Sequence, residues 1–139
     1  MTERIDNEGM EALSSAECDR LLRPGGVGIL ALRGDEEPIL RPVNFAVHEK
    51  WIMMRTGVGQ IFAAAENAEH ASFVLMQTDA VEHIGWSIVI RGMLSEHQNL
   101  MGVPYFPLRP WAASEKNNFV GLSMDEVSGR RVVPHVGEQ

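Results

Sequence analysis

The chain has 139 residues, 45% of them hydrophobic, and its 12 basic against 19 acidic side chains leave a formal charge of −7. That length and apolar fraction suit one domain around one core, and an acidic chain without a clustered basic stripe is not a general nucleic-acid binder, because neutralising phosphates needs many cations together. No window reaches the roughly 18 to 20 apolar residues of a membrane span, and residues 1–10 are polar and acidic where an export signal is basic and then apolar, so a cytoplasmic location without a membrane partner is expected.

Residues 1–13 show no periodicity and read as a mobile arm, leaving 14–139 as a single domain. Ser14 and Glu17 have the spacing of a capping box, in which each side chain satisfies an amide of the first helical turn. The helix that follows should end near Arg23, with Leu13, Cys18, Leu21 and Leu22 on one face and Pro24-Gly25-Gly26 as its stop. Cys18, the only cysteine, reads as a buried helix-face thiol.

From Val27 the pattern changes to short β-type runs at 27–32, 39–48, 51–55, 71–77, 87–97 and 117–124. A polar cluster over 34–38 and the tight His48-Glu49-Lys50 turn join the first three as hairpins. Phe45, Val47, Trp51 and Met53 alternate as large apolar groups, and closing such strands into a barrel removes their edges. Between strands, the alanine-rich 60–67 stretch has helical spacing and directly follows Arg55-Thr56-Gly57. A helix beginning there would offer free amides to an anion, phosphate above all. Residues 100–113, with Pro104, Pro107 and Pro110, read as an ordered loop presenting Tyr105, Phe106 and Trp111 to a partner. The sum is a mainly β, α+β domain: a small antiparallel barrel with short flanking helices.

Several chemistries are excluded. The five histidines show no helical pair at metal-ligand spacing, so no metal site is expected. There is no nucleophile elbow, P-loop or dinucleotide-binding glycine motif. Asp35, Glu36 and Glu37 sit in a turn beside Pro38 and read as solvated surface. Arg91, in an apolar strand, needs a partner such as Glu96 or Asp79 if it is buried.

Three segments in order, Arg41-Pro42-Val43-Asn44-Phe45, Arg55-Thr56-Gly57-Val58-Gly59 and Gly85-Trp86-Ser87-Ile88-Val89-Ile90-Arg91-Gly92, resemble the pyridoxamine 5'-phosphate oxidase-like split barrels of actinobacterial type. The resemblance implies a homodimeric split β-barrel that holds flavin mononucleotide (FMN) in clefts between subunits and acts as an oxidoreductase on a small molecule. It places Arg55, Thr56, Gly59, Gln60 and Ile61 at the flavin phosphate, and Arg41, Pro42, Val43 and Asn44 along the isoalloxazine. Trp86 and Ser87 match the family's Gly-Trp-Ser segment, and Trp111 would cover the ring from the other subunit. The chain departs from the pattern at Gly59-Gln60-Ile61, where the family has a small hydroxyl residue and then a lysine. A charge-assisted hydrogen bond is worth about 1.5 to 3 kcal/mol, so the missing cation would weaken phosphate binding roughly ten- to a hundredfold. The alternative expectation is a non-catalytic split-barrel dimer that binds another ligand, such as haem, deazaflavin or a different anion, or that has lost its cofactor.

Overall fold

The computed structural model describes residues 10–57, 59–97 and 118–132. Its elements are β1 (Met10–Ala12), α1 (Ser15–Leu22), β2 (Gly26–Leu32), β3 (Ile39–His48), β4 (Trp51–Thr56), α2 (Gln60–Glu66), β5 (His70–Asp79), β6 (Ile84–Glu96), β7 (Asn118–Ser123) and β8 (Glu126–Val132). Six strands close on themselves in the order β6, β5, β2, β3, β4, β7 and back to β6, all antiparallel, while β8 and then β1 extend from β6. This is the small antiparallel barrel with two flanking helices expected from the strand series.

Each barrel strand sends apolar side chains inward at alternate positions, and Leu30, Phe45, Ile52, Phe73, Ile90 and Leu122, one from each strand, meet in the buried core. Phe73 lies edge-on to Phe45 with ring centroids 5.0 Å apart, a geometry that aromatic quadrupoles favour. The ring fits only because residue 28 is glycine: a Cβ there would stand 2.2 Å from the Phe73 ring. Ala64 and Ala65 of α2 are buried against the same core, and small side chains let the helix sit close to the barrel end.

Closure depends on β6, whose 13 residues serve two partners on one edge. Trp86 to Arg91 pair with β8, and Leu94 to Glu96 pair with β7. Gly92 lies at the fork. A Cβ on it would come within 1.7 Å of the Ser123 carbonyl oxygen, so only glycine lets β7 end against β6 while β8 takes over. Ser123 Oγ then accepts the Met93 amide at 2.9 Å, filling a bond that neither ladder supplies.

α1 has the expected capping box: Ser14 Oγ accepts from the Glu17 amide at 3.1 Å, and Glu17 Oε1 accepts from the Ser14 amide at 2.9 Å. Cys18 is buried on the helix face as expected, and that desolvation, followed by the nearby Glu17 charge, pushes its thiol above its ordinary range.

The flanks differ from the sequence expectation. The arm expected over residues 1–13 is in fact structured from Met10 onward, since β1 pairs with β8 and the Leu13 amide donates to Gly129 O at 2.9 Å. Arg131 of β8 explains why. It donates to Glu11 of β1 and, at 3.2 Å, to Glu17 Oε2 of α1, tying the last described strand to the first two elements of the chain. β8 itself was not among the expected strands, because Gly129 is its only buried residue and a strand exposed on both faces carries no apolar alternation.

Candidate functional site

The ladder between β3 and β4 covers only Ala46↔Met53 to His48↔Trp51. Beyond it the strands part: residues 39–45 of β3 stay paired with β2, and β4 stays paired along its whole length with β7. The opening between them is bordered by Arg41, Pro42, Val43 and Asn44 on one side and by Arg55 and Thr56 on the other, and the chain leaving β4 turns there into α2. Pro42, which has no amide proton, suits a strand that has lost a neighbour on one side.

Side chains around this opening are sorted by strand alternation. In β4, Ile52, Met54 and Thr56 are buried on the inward side, and Thr56 Oγ1 donates to Gly57 O at 3.2 Å. Arg55 belongs to the other face, with Trp51 and Met53, where Met53 and Phe119 form a small second cluster. In β3, Ile39, Val43 and Val47 pack on the core. Arg41 occupies the same inward series but is exposed. Its guanidinium reaches α2 instead, donating through Nη2 to Gln60 Oε1 and through Nη1 to Leu40 O at 3.0 Å.

Gly59, the N-cap of α2, has no side chain to satisfy the first amides of the helix, and a Cβ at this position would meet nothing within 4 Å. The space before it is therefore open. Ile61 turns away and packs on the core. Arg41, Gly59 and Gln60 thus come together, with Thr56 and Arg55 at the adjoining strand end on opposite faces. The structure groups Arg41 with the residues that the resemblance placed at the phosphate, whereas the resemblance had set it along the ring.

Trp86 and Ser87 lie elsewhere on the protomer. Arg41 shares a row with Leu30, Phe73 and Ile90, whereas Trp86 is four residues farther along β6, between Gln77 and Arg131. Trp86 packs against the core and forms the floor of a cleft of about 480 Å³ with Thr78, Asp79, Ile84 and Arg131. Another cleft, of about 720 Å³, lies between the 33–38 turn and the turn joining β7 to β8. Its charged lining includes Arg33, Arg91, Glu36 and Asp125, and none of these forms an ion pair among the described residues. Arg91 faces solvent opposite Glu126 rather than pairing with Glu96 of its own strand or Asp79 of β5. Trp111, Tyr105 and Phe106 lie outside the described residues.

On the outer face, the His97 ring packs edge-on to Trp51 with centroids 4.3 Å apart, and its Nε2 lies 3.0 Å from Ser95 Oγ. Burial and then the neighbouring His48 hold its pKa below the ordinary histidine value. No group of three or more histidine, cysteine or acidic side chains able to hold a metal ion occurs among the described residues.

A family model described as pyridoxamine 5'-phosphate oxidase matches residues 14–131. The chain belongs to the pyridoxamine 5'-phosphate oxidase-like family. The matched span runs from the helix cap at Ser14 to Arg131 of β8 and includes the whole barrel. Among solved structures, the FAD binding protein from Mycobacterium smegmatis is 25% identical with a TM-score of 0.70, covering 88% of this chain and 99% of that chain. An FAD-binding protein from Mesorhizobium loti is 21% identical with a TM-score of 0.71, over 88% of this chain and 96% of that one. The FAD and heme binding protein from Mycobacterium smegmatis shares the fold at 16% identity and a TM-score of 0.72, covering 94% of this chain and 77% of the other. A comparison with curated protein sequences gave no match. The split-barrel architecture of this family member is thus common to proteins whose sequences have diverged widely.

The role of Gln60 as a hydrogen-bond acceptor for Arg41 was not evident from the sequence. A helix-start carboxamide 19 residues from an arginine carries no local signal, and only the parting of β3 from β4 brings the two together.

Proposed function

We propose that this chain is a flavin-binding split barrel that works as a homodimer and serves oxidoreductase chemistry on a small molecule. The observation that carries this reading is the opening between β3, β4 and α2. It combines a backbone approach left clear at Gly59 with the exposed Arg41 guanidinium, in a family whose solved neighbours include FAD-binding proteins. These residues fit an anionic phosphate ester: glycine admits close approach, and the guanidinium supplies charged donors.

In this reading Arg41, Gly59, Gln60 and Thr56 hold the phosphate end, and Arg55 contributes from the outer face of β4. Pro42, Val43 and Asn44 border the ring, with backbone groups and one carboxamide for its polar edge. Trp86 and Ser87 lie too far along β6 to join them within one protomer, so a contribution from them comes from the second subunit of the dimer. A bound flavin supplies hydride or electron transfer. The protein positions it and shields it from water, and no side chain at the opening is required as an acid or base.

The test is an absorbance spectrum from 300 to 600 nm after incubation with FMN or FAD and desalting, with light scattering at micromolar concentration. A retained flavin band from a dimer is expected; a colourless monomer would refute the reading. One observation favours the alternative of a weakly binding or non-catalytic barrel: α2, with the sequence Gln-Ile-Phe-Ala-Ala-Ala-Glu, has no basic residue and contributes no cation of its own to the opening.

A further inference from the structure

The cleft of about 720 Å³ between the 33–38 turn and the β7–β8 turn is separate from the opening at β3, β4 and α2 and has no part in the flavin reading. Its floor is a row of residues across four strands: Ala31 of β2 faces Ser72 of β5, Ser72 faces Arg91 of β6, and Arg91 faces Glu126 of β8. Adjacent strands lie about 4.8 Å apart, so a hydroxyl, a guanidinium and a carboxylate stand side by side on one face of the sheet. Short side chains at Ala31 and Ser72 keep one end of the row low, and the two turns border it.

Opposite charges that face each other on neighbouring strands ordinarily pair. Arg91 and Glu126 are opposed in register, yet no ion pair links them, and Ser72 makes no side-chain hydrogen bond among the described residues. Arg33, Glu36, Glu37 and Asp125 along the walls are likewise without ion pairs among the described residues. Two guanidiniums and four carboxylates thus line one cleft with their charges held apart across a space of ligand size. A solute carrying both signs of charge can meet them without displacing an internal pair.

We propose that this cleft binds a basic α-amino acid, with its carboxylate on Arg91 and Ser72, its α-ammonium on Glu126 and Asp125, and its side-chain cation toward Glu36 and Glu37. A guanidinium beside a hydroxyl supplies the donors a carboxylate accepts, and the next residue in the row, Glu126, is placed for the ammonium on the same carbon. Four carboxylates against two guanidiniums leave the lining acidic. A ligand with two positive groups and one negative group therefore complements it better than a neutral or acidic amino acid does. The charged side chains are exposed, so salt screens them and binding weakens as ionic strength rises.

The experiment titrates L-lysine into the full chain in low-salt buffer and follows the backbone amides by NMR, with norleucine, cadaverine and L-glutamate as comparison solutes. Norleucine lacks the side-chain cation, and cadaverine lacks the carboxylate. Saturable shifts are expected at residues 31–37, 70–72, 91–92 and 125–126, with a Kd on the order of 1 mM or below. Each comparison solute should bind about tenfold more weakly or not at all. Arg91→Gln should weaken lysine binding about tenfold or more, and Ser72→Ala by a smaller factor. Arg23→Gln changes the net charge equally but lies outside the cleft, and it should leave lysine binding unchanged.

The absence of saturable shifts up to about 10 mM lysine overturns the proposal, as do shifts centred elsewhere or an equal loss in Arg23→Gln. Glutamate or norleucine binding as tightly as lysine overturns the assignment to a basic amino acid. The amide spectrum of each variant, unchanged beyond the substituted row, separates a loss of binding from a loss of fold, and Glu126→Gln takes the place of Arg91→Gln if that variant does not fold. None of these outcomes bears on the flavin reading, because neither Ser72 nor Arg91 borders the opening at Arg41 and Gly59.

Discussion

The barrel has two seams of opposite character. At the fork of β6, pairing passes from β8 to β7 across Gly92 and Met93, with the Ser123 hydroxyl accepting the Met93 amide between the two ladders, and β8 is fastened by Arg131 to two carboxylates. Where β3 leaves β4 the ladder stops after three residue pairs, and the nearby Arg41 is held by a neutral amide. The first seam satisfies its backbone and cancels its charge, which is what stability requires. The second leaves backbone and charge available, which is what binding requires. Arg131 is thus compensated by carboxylates, whereas Arg41, at the proposed site, is held by neutral groups.

Substitutions should show this contrast. The largest effect is expected for Gly92→Val, because a Cβ would lie 1.7 Å from the Ser123 carbonyl oxygen and backbone cannot yield as a flexible side chain can. A loss of about 3 kcal/mol or more in urea denaturation, or failure to fold, is expected. A near-neutral result would mean that the fork is not tightly closed.

Arg131→Ala comes next. It leaves the Glu11 carboxylate, whose side chain is only 12% exposed, without its partner, and the arginine's own partial exposure limits the cost to about 1 to 2 kcal/mol. Hydrogen exchange should locate the loosening in β1 and α1 and leave the barrel amides protected.

A smaller, pH-dependent effect belongs to Glu17. The Ser14 amide, offset in part by burial and reinforced by Arg131, holds its carboxyl below the ordinary value of 4.5. The folded pKa is depressed, so the contribution is fully present above the unfolded pKa and is lost as pH falls through the folded one. Glu17→Gln should therefore flatten the acid limb of the stability profile below about pH 4.5 and leave the neutral region little changed in shape. His97 acts in the same direction at higher pH. Its folded pKa is also depressed, so the unfolded chain binds the proton more readily, and stability should fall as pH drops below 6.5. His97→Phe should remove that slope.

The smallest effect on stability is expected at the open seam. Arg41→Ala removes an exposed side chain held by neutral partners, and a change within about 0.5 kcal/mol is expected, alongside a clear loss of phosphoflavin binding. A large stability loss would show that this seam is built like the other.

Features encoded locally were legible in advance. The capping box at Ser14 and Glu17, the buried face at Cys18 and the turns around 34–38 and His48-Glu49-Lys50 depend on residues a few positions apart, as does the short helix after Gly59. Of the segments bordering the opening, 55–60 stood out for the same reason, a cation and a glycine beside a helix start, whereas 41–44 was marked only by its resemblance to the family. β1 and β8 did not stand out, because strands attached to an edge bury almost nothing and their cohesion comes from Arg131 reaching Glu11 across the fold. The separation of Trp86 from Arg41 was likewise invisible, since it depends on the register of four strands.

The amino-acid sequence by itself determined that this chain builds a small antiparallel barrel with short flanking helices, because alternation, turn chemistry and capping act over a few residues. Only the tertiary structure decided that Arg131 meets carboxylates while Arg41 meets a carboxamide. That depends on whether the side chain meeting each guanidinium, brought there by strand register across the fold, is a carboxylate or a carboxamide.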